Sequence, residues 1–135
     1  MNYAESPILI DCAGERMLGI LGEPELATRT GVLIIVGGPQ YRAGSHRQFT
    51  LLARHLARHG IASLRFDYRG MGDSEGQQRD FESVEDDIRA ALDAFVRANP
   101  SIDHIVLWGL CDGASAAMLY APSDQRVSGL VLLNP

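Results

Sequence analysis

Cysteine is scarce in this chain. Cys12 and Cys111 are the only two, and no C-x-x-C spacing occurs, which excludes a disulfide-stapled scaffold and a thiolate zinc site. Long apolar runs are missing as well. The longest run of Val, Ile and Leu, Val32 to Val36, is far shorter than the roughly 20 residues a membrane-spanning helix needs. Met1-Asn2-Tyr3-Ala4-Glu5 lacks the positive region of a secretory signal, and the apolar stretch after it is only Ile8 to Ile10. The expectation is a cytoplasmic protein that does not insert into a membrane. Positive charge is not in excess. The net charge is -5 and no basic cluster carries interleaved aromatics, so nucleic acid is not an expected partner. No G-x-G-x-x-G is present, because Gly70-x-Gly72 is followed by Glu75 where a third glycine would stand, and the loop at Gly37 lacks the Lys-Ser/Thr of a phosphate loop. No cofactor is expected. Nor is a metal: His55 and His59 are spaced i, i+4, but Leu56 stands where a zinc-protease motif needs Glu, so they read as surface histidines.

What remains is ordinary globular composition, 46% hydrophobic and 21% charged over 135 residues, enough for one domain with a real core. Ile8 to Cys12 and Met17 to Leu21 read as a hairpin turning at Ala13-Gly14-Glu15. Cys12, at a strand end, reads as a small packed residue. Gly31 to Val36 is an apolar run expected of a strand buried on both faces. Ser45 to His59 has helical spacing, with Phe49, Leu52, Ala53 and Leu56 on one face and Gly60 as the stop. Ile61 to Asp67 reads as a strand followed by a Gly-rich loop. Ser83-x-x-Asp86 resembles a capping box opening a helix that buries Val84, Ile88, Leu92, Phe95 and Val96 and ends at Asn99-Pro100. A strand at Ile105, a helix to about Tyr120 and a strand over Val127 to Leu133 complete the chain. Strands alternating with helices predict an α/β fold with a three-layer, doubly wound, mostly parallel sheet of about six strands. Sites in such sheets gather beyond the C-terminal strand ends, here the loops beginning at Gly37, Asp67 and Gly109.

The stretch richest in chemistry is His104-Ile-Val-Leu-Trp-Gly-Leu-Cys-Asp-Gly-Ala-Ser-Ala-Ala117. An apolar strand runs into Gly-x-Cys-x-Gly and then into small, helix-compatible residues. This pattern mounts a nucleophile on a sharp strand-to-helix turn, and the glycines two before and two after relieve crowding at its apex. The N-terminus of the following helix favours a thiolate at Cys111 and then an oxyanion. By chance alone G-x-[SC]-x-G occurs about 0.1 times in a chain of this length at ordinary residue usage, so the flanking strand and helix matter as much as the motif.

Three loops taken in order resemble the α/β-hydrolase superfamily. Gly109 to Gly113 resembles its nucleophile elbow. Asp67-Tyr68-Arg69-Gly70-Met71-Gly72-Asp73-Ser74 resembles its D-x-R-G-x-G-x-S loop, and Val36-Gly37-Gly38-Pro39 stands where it carries an oxyanion loop. More narrowly, Gly37-Gly38-Pro39-Gln40-Tyr41-Arg42 with Gly44-Ser45-His46-Arg47, plus Gly109-Leu110-Cys111-Asp112, is similar to hydrolases associated with exosortase A systems, in bacterial gene clusters for exopolysaccharide and protein sorting. The resemblance implies an antiparallel first hairpin. It implies Cys111 as nucleophile, the N–H of Asp112 as one oxyanion donor and that of Gly38 as the second, since Pro39 has no N–H to give. Gln40 and His46 are the further candidates for contact with substrate. His46 reads either as a substrate or acid/base contact or as a packing residue of its loop. The Asp67 loop reads as a turn braced by Asp67 and Arg69, with Ser74 placed to cap the next element, or as a substrate contact.

The chain departs from that pattern twice. Its nucleophile position holds Cys rather than the commoner Ser, which tilts the expected chemistry toward thioesters and acyl transfer. The acid and histidine of the triad should follow two further strands, and the chain stops at Pro135. Residues 1–135 therefore read as a single α/β-hydrolase-like domain lacking its C-terminal part. The strand at Leu130 to Leu133 is then an apolar edge, expected to pair with a second copy. Two functions remain open on sequence: a hydrolase or acyl-transfer enzyme acting on a small-molecule ester, thioester or amide, or a hydrolase-like scaffold or interaction module without catalysis.

Overall fold

In the computed structural model, residues 2–36, 48–70, 74 and 84–134 are described. Among the described residues, six strands and three helices follow one another as β1 (Tyr3–Cys12), β2 (Glu15–Pro24), β3 (Thr30–Ile35), α1 (Gln48–Arg58), β4 (Ala62–Phe66), α2 (Glu85–Ala98), β5 (His104–Leu110), α3 (Asp112–Tyr120) and β6 (Val127–Leu133). A 3-10 turn, Ala121–Ser123, links α3 to β6. The sheet order is β1-β2-β4-β3-β5-β6. β1 and β2 are antiparallel to each other, and β2 is antiparallel to β4. From β4 through β3 and β5 to β6 every pairing is parallel. This is the α/β architecture expected from the strand and helix alternation.

The hairpin is longer than its apolar pattern suggests. Pairing extends from Tyr3↔Pro24 to Cys12↔Glu15, because backbone bonds continue where one face has already turned to solvent. Ala13 and Gly14 make the turn with φ of 51° and 84°, the positive values that a two-residue hairpin needs. The helix expected over Ser83 to Asn99 begins at Glu85, with Val84 in the cap position and no side-chain cap bond. Ser83 itself lies outside the described residues. Asp87, in the first turn, accepts hydrogen bonds from Arg69.

Register sorts the side chains into two faces. Leu33 is level with Leu64 and with Leu107. By alternation, Gly31, Leu33 and Ile35, Ala62, Leu64 and Phe66, and Ile105, Leu107 and Gly109 share one face. α2 lies on it, so close that a Cβ at Gly31 would stand 2.8 Å from the Phe95 ring. α1 covers the opposite face, where Phe49 meets Trp108 edge-on at 5.7 Å. Leu33, Ile34, Leu64, Phe66, Ile88, Leu92, Phe95 and Leu107 are fully buried between these layers. Cys12 is buried in the same core, as its strand-end position suggests.

Candidate active site at the strand-to-helix elbow

β5 ends at Leu110 and α3 begins at Asp112, leaving one residue to turn the chain. Cys111 does so with φ 56° and ψ -120°, a backbone region that residues with a Cβ avoid and that costs about 1–3 kcal/mol. Such strain persists only where the surroundings fix it, and here both flanking peptide groups are held. The Cys111 N–H donates to the Leu133 carbonyl at 2.8 Å, and the Cys111 carbonyl accepts from the N–H groups of Ala114 and Ser115 at 3.0 and 3.2 Å. The thiol is exposed. The elbow thus presents Cys111 at the C-terminal edge of the sheet, immediately before the start of α3.

Two glycines make the turn fit. A Cβ at Gly113 would lie 2.3 Å from the Ile35 carbonyl oxygen, and a Cβ at Gly109 would lie 2.5 Å from the Gly113 backbone. Contacts this short against backbone cannot be relieved by a rotamer change. The Gly-x-Cys-x-Gly spacing is therefore a steric requirement of α3 resting on β3 and β5. Asp112 occupies the first position of α3, where an N–H has no intrahelical acceptor and is open to an anion.

Of the other expected site residues, Gly38, Gln40 and His46 lie outside the described residues, as does the rest of the Gly37 loop. The remaining histidines are remote from the elbow. His55 is in the last turn of α1 and His59 follows that helix, their rings 4.4 Å apart. His104 begins β5 at the opposite edge of the sheet. Among the described residues no cluster of three or more His, Cys, Asp or Glu side chains could hold a metal ion, and no helix is long and apolar enough to cross a membrane.

The loop after β4 is braced by Arg69, as its sequence suggests, with Asp87 of α2 as the partner. Arg69 donates from its backbone N–H to Asp87 at 2.8 Å and from Nε to the other carboxylate oxygen at 2.9 Å. Both side chains are buried, and Asp87 lifts the Arg69 guanidinium above its ordinary value. The Ser74 hydroxyl donates to the Asp67 carbonyl at 2.7 Å and accepts the Leu18 N–H at 2.9 Å, tying the loop back to β2; the element it is expected to cap lies outside the described residues. Asp87 is one of three acidic residues in the first turn of α2, and nothing in the sequence sets it apart from Glu85 and Asp86 as the buried one. Tyr68, the variable position of the loop motif, is also buried, and its hydroxyl has no hydrogen-bond partner among the described residues.

Residues 28–135 match the family described as "Serine aminopeptidase, S33". The chain is 32% identical over 142 residues to the quorum-quenching protein AidA of Acinetobacter baumannii, an alignment covering 99% of this chain and 45% of that protein. It is 37% identical over 87 residues to the thiohydrolase aneE of Aspergillus aculeatus, covering 62% and 27% of the two. The crystal structure of the α/β hydrolase GrgF from Penicillium superposes with a TM-score of 0.82 at 25% identity, over 96% of this chain and 45% of that one. The chain thus spans about half the length, or less, of these relatives. The strand order, the strained elbow between β5 and α3 and the match over 28–135 agree, and the chain belongs to the α/β-hydrolase superfamily, in the family described as serine aminopeptidase S33.

Proposed function

We propose that this protein is a hydrolase or acyl-transfer enzyme whose nucleophile is Cys111, acting on small-molecule thioesters or activated esters. The observation that carries this is the elbow: an exposed thiol, on a backbone strained and fixed from both sides, at the start of α3. In the acylation step the Cys111 sulfur bonds to the substrate carbonyl carbon, the bond from that carbon to its leaving sulfur or oxygen breaks, and the leaving group takes up the proton lost by the thiol. The Asp112 N–H and, from the Gly37 loop, the Gly38 N–H stabilise the oxyanion, each donor worth about 3–4 kcal/mol of barrier. Transfer to water completes hydrolysis, and transfer to another nucleophile completes acyl transfer. A cysteine rather than a serine at the apex supports thioesters, as does similarity to a protein named as a thiohydrolase. We further assign the enzyme to the cytoplasm and, from the Gly37 to Arg47 and Gly109 to Asp112 motifs, to the hydrolases associated with exosortase-dependent protein sorting.

The test is acylation in a Cys12→Ala background with p-nitrophenyl acetate. A burst of nitrophenol matching the number of Cys111 thiols, lost in Cys111→Ala, is expected, with an acetyl group on Cys111 by mass spectrometry. Release that persists in Cys111→Ala refutes the assignment. No release from either protein favours a non-catalytic scaffold.

A further inference from the structure

A cleft of about 300 Å³ opens at the edge of the sheet opposite the elbow, where the loop from β2 to β3 meets the loop from α2 to β5. That volume is at the lower end for a small-molecule site. β5 alone, running from His104 to Leu110, puts about 20 Å between this edge and Cys111, so a small substrate held at the thiol does not reach it. Bonds between the two loops set the width of the cleft. The Ser101 hydroxyl donates to the Thr28 carbonyl at 2.8 Å. The Asp103 and His104 N–H groups donate to the Arg29 carbonyl at 2.9 and 3.0 Å, and the Arg29 side chain pairs with Asp103. The Glu25 N–H donates to the Asn2 carbonyl at 3.0 Å, which ties the first loop to the start of the chain as well.

The charge around this cleft is of one sign. Glu23, near the end of β2, brings a carboxylate. Ala98 and Asn99 stand on the wall where the 14-residue helix α2 ends, and the last carbonyls of a helix carry its negative pole. The Asn99 side-chain amide donates to the Phe95 carbonyl at 3.4 Å, which leaves its oxygen as a further acceptor. Among the described residues that line the cleft none is basic. Arg29 is turned to Asp103, and Arg97, in the last turn of α2, lines a separate cleft with Asp11 and Asp93. Much of the remaining wall is apolar, formed by Pro24, Leu26 and Pro100. Leu26 is 70% exposed, the most of any large apolar side chain among the described residues, so a ligand that covers it removes apolar surface from water.

We propose that this cleft is a binding site, separate from the elbow, for a small organic ammonium that carries an apolar body. The ammonium answers the Glu23 carboxylate and the end of α2, and the apolar body covers Leu26 and the two prolines. A carboxylate in the same place meets like charge from both. A neutral alcohol of the same shape keeps the apolar contact and loses the charge-assisted hydrogen bond. The inference does not rest on the role of Cys111.

The probe is phenethylammonium, compared with 2-phenylethanol, which has its shape without the charge, and with 3-phenylpropanoate, which has the opposite charge. Amide chemical shifts of the labelled protein report where and how tightly each binds. Phenethylammonium is expected to move Leu26, Ala27, Ala98, Asn99 and Ser101 in a saturable way and to bind about tenfold tighter than the alcohol, the size of one hydrogen bond to a charged group. The propanoate should leave these signals in place. Glu23→Gln should abolish the preference for the ammonium. Leu26→Ala, at an exposed position, should weaken the ammonium and the alcohol alike. Both variants should keep the wild-type unfolding midpoint. Equal binding of ammonium and alcohol, shifts that map away from the cleft, an absence of shifts, or a preference that survives Glu23→Gln each overturn the proposal. If Glu23→Gln lowers the midpoint, the wild-type comparison of the three probes and Leu26→Ala still decide: no charge preference, or binding indifferent to Leu26, overturns it.

Discussion

Cys12 and Cys111 carry the same side chain into opposite surroundings. Cys12 is buried, its thiol 3.8 Å from Asp87, and burial first, then the Asp87 charge, pushes it up to about 11. Cys111 is exposed at the elbow apex. At pH 8 a thiol reagent should therefore label one site per native molecule. Mass spectrometry should place that label on Cys111, and Cys12 should react only after denaturation. Labelling of Cys12 in the native state would contradict its burial. The glycines differ in the same way. At Gly113 a Cβ meets the Ile35 carbonyl oxygen at 2.3 Å, whereas at Gly129 the nearest atom is a Val106 methyl at 3.4 Å. Gly113→Ala should cost about 1–3 kcal/mol, as overpacking against backbone does, and Gly129→Ala should cost much less. Chemical denaturation of both variants measures the difference. Equal costs would mean that α3 does not rest directly on the β3 backbone.

At the scale of elements, buried carboxylates fasten the helices in place. Asp87 fixes the start of α2 to the loop after β4 through Arg69. Asp124 does the same where α3 passes into β6. It is 7% exposed, takes hydrogen bonds from the Arg126 side chain and backbone and from Tyr120, and Arg126 reaches on to Asp93 of α2. The Arg126 hydrogen bonds, joined by the Tyr120 hydroxyl and the Arg126 charge, hold the Asp124 carboxyl well below the usual carboxylate range. A group whose folded value is depressed contributes stability above its unfolded value, and that contribution is lost as pH falls toward the folded value. Asp124→Asn should therefore destabilise the protein by about 2–3 kcal/mol at pH 7, the range for hydrogen bonds to a charged group. The gap from wild type should narrow as pH falls below about 4, where the unfolded carboxylate takes up its proton. Urea titrations at pH 7 and pH 3.5 check this, and a gap that stays constant would show that the charge of Asp124 is not what matters.

At the scale of the molecule, the sheet formed by the described residues ends on one side at β6, which among them pairs with β5 alone. Leu130, Val131 and Leu133 are each more than 40% exposed there, and Met118 and Leu119 of α3 are exposed as well. An exposed apolar edge strand is a template for further pairing. The 135-residue chain is therefore expected to self-associate through β6, with a mass above that of a monomer by light scattering at high micromolar concentration. Leu130→Lys should weaken the association. A monomer at that concentration would sink the idea. The β6 strand matters to the site as well, because its Leu133 carbonyl receives the Cys111 N–H. Disturbing this edge should be felt at the nucleophile.

Local physics made much of this legible in the sequence. The apolar stretch Val127 to Leu133 places β6 with its observed bounds, the small helix-compatible residues after the elbow place α3 with its observed end at Tyr120, and Gly-x-Cys-x-Gly between a strand and a helix identifies the elbow because the turn admits no Cβ at Gly109 or Gly113. Element ends were less legible. β1 and β2 run past their apolar centres because backbone pairing does not need buried side chains, and α2 begins at Glu85 with Val84 in its cap position, while Ser83 of the expected capping box lies outside the described residues. Two features belong to the tertiary structure alone: the choice of Asp87 among three adjacent acids, and the bond from Cys111 to Leu133. Each joins groups far apart along the chain. Spacing along a sequence records which residues share a strand or a helix face. Which distant atoms meet is decided only when strand order and register bring those faces together.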